Sequence, residues 1–213
     1  MKCWGYDGGG ALGDGGGSTN FSESQYLGAP AETPINLGSG RTAVEVSAGH
    51  DYACAILDNG DLKCWGSGGP QLGYFTNNDI NAPRDEPLDL GDNRTAAAVC
   101  TGDNLACAIL DNGDVKCWGS GGQYGALAGN TDIFSPPDTP IDLGDGRTAI
   151  DISCGAIHTC VLLDDNSVKC WGLNGQWELG VGTSPTKRDV RNIRACKSYR
   201  VGIRARDIQV RSA

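Results

Sequence analysis

The feature that most constrains this chain is an internal repeat of 53 residues. The tetrapeptide Lys-Cys-Trp-Gly occurs four times, beginning at Lys2, Lys63, Lys116 and Lys169. Successive copies begin 61, 53 and 53 residues apart. A second phrase ending in Arg-Thr-Ala keeps the 53-residue step, so the eight extra residues of the first interval are predicted to be a loop insertion between Gly5 and Pro34. Such a period indicates similar units that stack on one another and bury their apolar faces together.

A pair of cysteines in each full copy predicts a β-hairpin and its register. If Cys54 lies opposite Cys64, the connecting loop is the three residues Asp58, Asn59 and Gly60, a type I turn followed by a left-handed residue that suits glycine. Opposed residues have Cα atoms about 5 Å apart, which a disulfide accepts. Buried free thiols remain an alternative. The same arithmetic pairs the cysteines of the other two copies and places Gly113 and Asn166 at the left-handed position: Cys107 with Cys117, and Cys160 with Cys170.

Composition supports an all-β chain with many turns. The sequence has 33 Gly and 9 Pro and few segments of helical periodicity. Residues 1–185 contain 8 Lys and Arg against 24 Asp and Glu, whereas residues 186–213 contain 9 against 2. The acidic repeats should repel phosphate backbones, so we expect no nucleic acid partner there. No apolar run reaches the ~18 residues of a membrane span.

The ten cysteines favour disulfides over zinc. Zinc sites usually contain close C-x2-C pairs with histidine nearby, whereas the recurring spacing here is nine residues between cysteines. His50 and His158 also occupy different positions of the repeat, so the repeat builds no symmetrical histidine pair. We therefore predict no metal, no cofactor and an extracellular or cell-surface location, although no signal peptide is visible.

The repeats resemble those of a known family. The stretches "GHDYACAILDNGDLKCWGSGGPQLG" and "GAIHTCVLLDDNSVKCWGLNGQWELGVGT" are similar to regulator of chromosome condensation repeats, in a cysteine-rich variant typical of secreted or surface proteins. The resemblance covers residues 1–182 and implies a β-propeller of four-stranded blades, seven in complete members. We expect a partial propeller of three to four blades, a fragment whose first copy is truncated at Met1. It would need further repeats or self-association to cover its exposed blade ends. Residues 183–213 are expected to be a basic segment outside the repeats.

Stacked blades suggest a further disulfide. Counted from the glycine of each repeat, Cys100 and Cys154 occupy adjacent positions of successive copies. Neighbouring residues of a strand point to opposite faces, so the two thiols could meet across one interface. We predict a Cys100–Cys154 disulfide between blades, which leaves Cys3 and Cys196 unpaired.

Loops that follow each Trp-Gly vary most between copies and are the candidate binding sites. The candidate binding residues in these loops are aromatic and are expected to be exposed: Tyr74, Phe75, Tyr124, Phe134 and Trp177. Binding residues concentrate in such loops, although these side chains could instead cover blade edges. The four tryptophans of the repeated tetrapeptide, Trp4, Trp65, Trp118 and Trp171, are expected to pack within the blades. Two sequons, at Asn20 and Asn93, could carry glycans in a secreted protein.

These features predict a non-catalytic module that binds a protein or a glycan through variable loops. The alternative is a regulator of an enzyme. It could act as a guanine-nucleotide exchange factor or as a secreted enzyme inhibitor, functions to which the family resemblance points. The fold itself does not decide between them.

Overall fold

The computed structural model describes residues 1–16, 26–120, 131–175, 177–180 and 194–196. Its regular structure is β, as predicted, with one short 3-10 helix at Pro70–Leu72. The strands in these residues are β1 (Gly5–Tyr6), β2 (Tyr26–Leu27), β3 (Ala43–Ala48), β4 (Tyr52–Leu57), β5 (Leu62–Gly66), β6 (Ala96–Thr101), β7 (Leu105–Leu110), β8 (Val115–Gly119), β9 (Ala149–Cys154), β10 (His158–Leu163), β11 (Val168–Gly172) and β12 (Arg194–Cys196).

Each full repeat folds as an antiparallel sheet of consecutive strands, which we call a blade. The first blade is β3-β4-β5, the second is β6-β7-β8 and the third is β9-β10-β11. Strand β12 pairs with β11 at the edge of the third blade, and β1 pairs with β2 in the first, shorter copy. Most of residues 183–213 lie outside the described residues, so the predicted boundary at residue 182 is untested.

The fourth strand that the family resemblance implies is shortened in the first two blades. It consists of an isolated bridge from Gly66 to Ile80 in the first blade and from Gly119 to Ile133 in the second. Asn, Asp and Pro flank Ile80, and Ser and Pro follow Ile133. These residues are poor strand formers, and proline cannot donate to a ladder, so pairing does not extend beyond one residue.

The hairpin register is the one that the cysteine spacing predicts. Cys54 faces Cys64 across β4 and β5, and the other two full copies repeat this alignment. The predicted left-handed residues have positive φ angles: 82° at Gly60, 83° at Gly113 and 65° at Asn166. Local turn chemistry therefore specifies which side chains of each hairpin face the same neighbouring blade.

Successive blades contact each other through their first strands. The Val99 backbone N–H donates to Glu45 Oε1 at 3.0 Å, and the Ser47 and Thr101 hydroxyl oxygens lie 2.8 Å apart. On the neighbouring strand, the Tyr52 hydroxyl donates to the Leu105 carbonyl oxygen of the next blade. Polar and apolar contacts together stack the three sheets as the blades of a partial propeller.

A lysine connects each blade to the segment that leads into it, and it is buried in the first two blades and partly buried in the third. Lys63 Nζ donates to the Leu37 carbonyl oxygen at 3.1 Å, and Lys63 is only 3% exposed. Lys116 and Lys169 make the equivalent bonds, at 2.9 and 2.6 Å, to the carbonyl oxygens of Leu90 and Leu143. A buried ammonium group needs such partners, since an unpaired one would be costly. We call this lysine-to-carbonyl bond the lysine latch.

The first, shorter copy keeps the outer part of the repeat. The Ile35 N–H donates to the Met1 carbonyl oxygen at 3.0 Å, as Leu88 does to Leu62 at 2.8 Å in the next copy. The described residues contain no helix of the length and apolarity needed to cross a membrane.

Candidate functional site

Two of the loops that follow a Trp-Gly are positioned by the tryptophan of the next repeat. Trp118 is fully buried, and its indole N–H donates to the Gln71 carbonyl oxygen at 2.9 Å. Trp65 likewise donates to the Ala11 carbonyl oxygen at 3.1 Å. The expected packing within the blades is therefore observed for these two residues and for Trp171, which is 3% exposed. Trp65 and Trp118 therefore each pack within their own blade and fix the position of the preceding loop.

The expectation of core packing is wrong for Trp4, which is 60% exposed. Trp4 belongs to the shorter first copy, where the described residues include no preceding loop for its indole to hold. The same residue at the same position of the repeat therefore differs in burial because its neighbours differ.

Three of the predicted loop aromatics lie in two neighbouring loops. The Phe75 N–H donates to the Phe134 carbonyl oxygen at 3.0 Å, which joins the loop of the first blade to that of the second. The Arg84 guanidinium carbon lies 4.9 Å from the centre of the Tyr74 ring, a cation–π distance. We call Tyr74, Phe75, Arg84 and Phe134 the loop cluster.

Within the loop cluster, Phe75 is the most unusual residue. Its side chain is 79% exposed, and its φ angle is 53°. A bulky residue in the left-handed region is an outlier that costs about 1–3 kcal/mol, and such outliers concentrate at functional sites. An exposed phenylalanine gains no packing energy in return. An exposed aromatic ring of this kind is suited to contact with a partner.

Tyr74 and Phe134 are less exposed than Phe75. Both side chains are partly buried. The Tyr74 hydroxyl donates to the Glu86 carbonyl oxygen at 3.4 Å, and burial raises the pKa of Tyr74 to about 12. The phenol is consequently neutral at physiological pH and presents an aromatic face rather than a charge.

The other two predicted loop residues are not part of this cluster. Trp177 is 54% exposed with a φ angle of 68°, in the loop after the third blade. Its carbonyl oxygen accepts the Gly180 N–H at 3.0 Å, which closes a tight turn. Tyr124 lies outside the described residues, so its predicted role is untested.

The two histidines lie at separate places, as their positions in the repeat predict. His50 Nδ1 lies 2.8 Å from the Asp51 carboxylate, and this hydrogen bond raises the pKa of the exposed imidazole. His50 also lines a shallow hollow with turn residues of the second and third blades, including Asp103. His158 instead packs against Gly155 of its own blade.

All four predicted cysteine pairs have disulfide-compatible geometry. The three hairpin pairs each have Cα atoms 4.1 Å apart. Cys100 and Cys154 have Cα atoms 5.4 Å apart and join the second blade to the third. Cys3 is unpaired and half-buried, and burial raises the pKa of its thiol. The side chain of Cys196 is outside the described part of the chain.

The two sequons differ in what the structure shows. Asn93 is exposed in a turn with a φ angle of 54°, where a glycan would meet no packed surface. Asn20 lies outside the described residues. Use of either sequon remains a prediction.

Sequence reasoning identified the aromatic residues of the loop cluster but missed Arg84 and the contact between the two loops. Arg84 is an ordinary charged residue in a loop, and nothing in its local sequence indicates the Tyr74 ring. The Phe75–Phe134 bond joins segments of different repeats. Only the stacking of the blades brings those segments together.

Comparisons with known proteins agree with this architecture. The family description "Regulator of chromosome condensation (RCC1) repeat" matches residues 43–69, 96–126 and 149–176. The chain is 30% identical over 185 residues to the E3 ubiquitin-protein ligase HERC2 of Homo sapiens, a match that covers 86% of this chain and 4% of HERC2. It is 29% identical to the Ultraviolet-B receptor UVR8 of Arabidopsis thaliana, over 76% of this chain and 36% of the receptor.

Solved structures support the propeller fold. Human WBSCR16 gives a TM-score of 0.70 at 22% identity, over 85% of this chain and 45% of that protein. Prp20p of Saccharomyces cerevisiae gives 0.68 at 19% identity, over 85% of this chain and 43% of that protein. The chain therefore spans less than half the length of each of these four proteins. The family match, the blades and these similarities together show that the chain is built from repeats of the regulator of chromosome condensation family.

Proposed function

We propose that this chain is a non-catalytic protein-interaction module whose binding site is the loop cluster. The observation that carries the proposal is Phe75, an aromatic side chain that is 79% exposed on a left-handed backbone. Aromatic residues and arginine dominate the energetics of protein interfaces, and the loop cluster contains both. Tyr74 and Phe134 beside Phe75 supply a partly buried aromatic base on two blades.

The charge of the module favours a partner with a basic surface. Residues 1–185 contain three times as many acidic as basic residues, 24 against 8. A surface potential of one sign raises the association rate with an oppositely charged partner. Buried aromatic anchors mainly lower the dissociation rate of the complex. We therefore infer a protein partner with an apolar pocket for Phe75 and a basic rim.

The test compares capture of partners by the wild-type protein and by two variants. F75A removes the proposed anchor, and I150A is the matched control, since Ile150 is also an exposed apolar residue, at 56%, on a different part of the blades. A partner of this site should bind F75A at least tenfold more weakly in a binary titration and bind I150A normally. Equal binding by all three proteins would contradict the assignment. A glycan that shows the same dependence on Phe75 would replace the protein as the ligand.

The alternative function is regulation of an enzyme. The structure of Prp20p, with a TM-score of 0.68, is described together with its binding properties to Gsp1p and histones. A module of the same fold could act on a GTPase or, if secreted, inhibit a hydrolase. Nucleotide-release and β-lactamase inhibition assays test these two activities. A dose-dependent effect in either assay would support this alternative.

An extracellular or cell-surface location is part of the proposal. Four cysteine pairs with compatible geometry support residence in an oxidising compartment. Peptide mapping of the protein from its natural source, without reduction, should recover all four pairs. Free thiols at the hairpin positions would contradict this location.

A further inference from the structure

The interface between the second and third blades contains four cysteines in one cluster. Cys100 and Cys154 bridge the interface, and Cys107 of the hairpin pair Cys107–Cys117 lies beside them. The Sγ atoms of Cys100, Cys107 and Cys154 all lie within 4.8 Å of one another. Cys100, Cys107 and Cys117 are buried and Cys154 is partly buried. We call these four residues the sulfur cluster.

A buried hydroxyl group points into the sulfur cluster. Thr159 is fully buried, and its Oγ1 lies 3.6 Å from both Cys107 Sγ and Cys154 Sγ. The equivalent positions of the two preceding blades are Ala53 and Ala106. A polar side chain thus replaces a methyl group only where the sulfur atoms converge, and a hydroxyl donor is a good partner for a thiolate.

The interface between the first and second blades has the same geometry without the cluster. Ser47 and Thr101 occupy the positions of Cys100 and Cys154, and their hydroxyl oxygens are hydrogen-bonded at 2.8 Å. The hairpin pair Cys54–Cys64 is present there, but it has no second cysteine pair beside it. The molecule therefore contains a matched site with two cysteines next to a site with four.

We propose that in the reduced protein the sulfur cluster binds one Zn²⁺ ion through Cys100, Cys107, Cys117 and Cys154. Tetrahedral zinc sites with four thiolates are common, and a Zn–S distance of 2.3 Å puts the sulfur atoms about 3.8 Å apart. Three of the four sulfur atoms already lie within 4.8 Å of one another, and Cys117 Sγ is bonded to one of them, Cys107 Sγ. Spacing along the chain conceals such a site, because three of its cysteines lie on three strands of the second blade and the fourth lies on the third blade.

Zinc can bind only after both disulfides of the sulfur cluster are reduced. One phosphine molecule per disulfide gives its electron pair to the S–S bond and takes the oxygen atom of a water molecule to become the phosphine oxide, and the two protons of that water complete the two thiols. Zinc then binds the sulfur atoms as thiolates, so their protons are released to solvent. The Thr159 hydroxyl, which lies 3.6 Å from both Cys107 Sγ and Cys154 Sγ, donates its one proton to one of these thiolates and orients it.

The test is titration of the phosphine-reduced protein with Co²⁺ and then Zn²⁺ under anaerobic conditions. Tetrahedral Co²⁺ bound to thiolates gives characteristic visible and sulfur-to-metal absorption bands, which Zn²⁺ abolishes when it displaces the ion. We expect a saturating endpoint of one ion per chain for the wild-type protein. The variant C54S/C64S should keep this endpoint, because it alters only the matched site.

The variant C100S/C154T copies the Ser47–Thr101 pair into the second interface and should lose the tetrahedral bands. T159A should keep the bands but bind Co²⁺ roughly tenfold or more weakly, as typical for loss of an outer hydrogen bond to a ligand. Equal titration of the wild-type and C100S/C154T proteins would overturn the proposal, as would loss of the bands in C54S/C64S. A reduced chain that is unfolded and that zinc does not refold would overturn it as well.

Discussion

The second blade and the two blades beside it have nearly the same sequence but differ in burial. Val99 of the second blade is 5% exposed, whereas Val46, at the equivalent position of the first blade, is 53% exposed. The first blade covers Val99, and no described residue covers Val46 in the same way. In the third blade, β10 alternates between half-buried and buried residues, whereas β4 and β7 are buried throughout. We call these uncovered sides of the first and third blades the open faces.

Hydrogen bonding differs in the same way as apolar burial. Ser47 faces the second blade, and its hydroxyl accepts the Thr101 N–H at 3.1 Å. Ser153, at the equivalent position of the third blade, is exposed on the open face. Position within the repeat therefore determines where a side chain points, while the neighbouring blade determines what that direction contributes to stability.

The largest difference in the free energy of unfolding is expected between variants of two tryptophans, Trp118 and Trp4. W118A should lower the free energy of unfolding by about 3–5 kcal/mol, because it removes a fully buried ring and its bond to Gln71. W4A should change it by no more than about 0.5 kcal/mol, since Trp4 is 60% exposed. Urea unfolding followed by circular dichroism measures both. Equal losses would show that Trp4 is buried in solution and would break the comparison.

A smaller difference should separate the two valines. V99A removes buried methyl groups and leaves a cavity between blades, at a cost of about 2 kcal/mol. V46A removes the same atoms from an open face and should cost a few tenths of a kcal/mol at most. The same unfolding titration applies, with both variants at equal protein concentration. A large cost for V46A that grows with protein concentration would show that self-association covers this open face.

Variants of Ser47 and Ser153 test whether a hydrogen bond to a neighbouring blade contributes to stability. S47A leaves the Thr101 N–H without its acceptor in a partly buried interface and should cost about 1–2 kcal/mol. S153A should be nearly neutral, because water solvates the Ser153 hydroxyl in both states. Amide hydrogen exchange at Thr101 provides a second measurement, and it should accelerate only in S47A. Unchanged exchange at Thr101 would mean that this bond contributes little to the interface.

The smallest effects should be the same in all three blades. Arg41, Arg94 and Arg147 each pair with an aspartate of the hairpin turn, at 3.2, 3.3 and 3.4 Å, and each is about two-fifths exposed. Exposed pairs are screened by solvent and contribute little, so each arginine-to-alanine variant should show a similar small loss of stability. These pairs lie within one repeat and do not depend on a neighbouring blade. A clearly larger loss in the second blade would mean that inter-blade packing also strengthens the turns.

The sequence predicted the local geometry of the hairpins because that geometry is set by nearby residues. Gly60, with its positive φ, and the facing pair Cys54 and Cys64 are separated by a few positions, so turn chemistry and strand alternation suffice. The exposure of Trp4 was not predictable in this way. The sequence pattern specifies the residue type at each position of the repeat but not the presence of a neighbour.

The candidate site was predicted only in part for a related reason. Variation between copies pointed to Phe75 and Phe134 as loop aromatics, but their contact depends on how two blades stack. The shortened fourth strand depends on Asn, Asp and Pro around Ile80, which family resemblance alone would not reveal. The proximity of Cys107 to Cys100 and Cys154 is likewise a product of stacking.

The lysine latch has a consequence for how such a chain can evolve. Lys63 binds the Leu37 carbonyl oxygen 26 residues earlier, and Lys116 and Lys169 repeat this separation. Donor and acceptor therefore travel together in any duplicated 53-residue piece of the gene. A duplicated repeat therefore already encodes both partners of its own lysine latch. Unequal recombination can then change the number of blades without a compensating mutation elsewhere. The loops carry no such constraint, and each copy is free to acquire a different recognition surface.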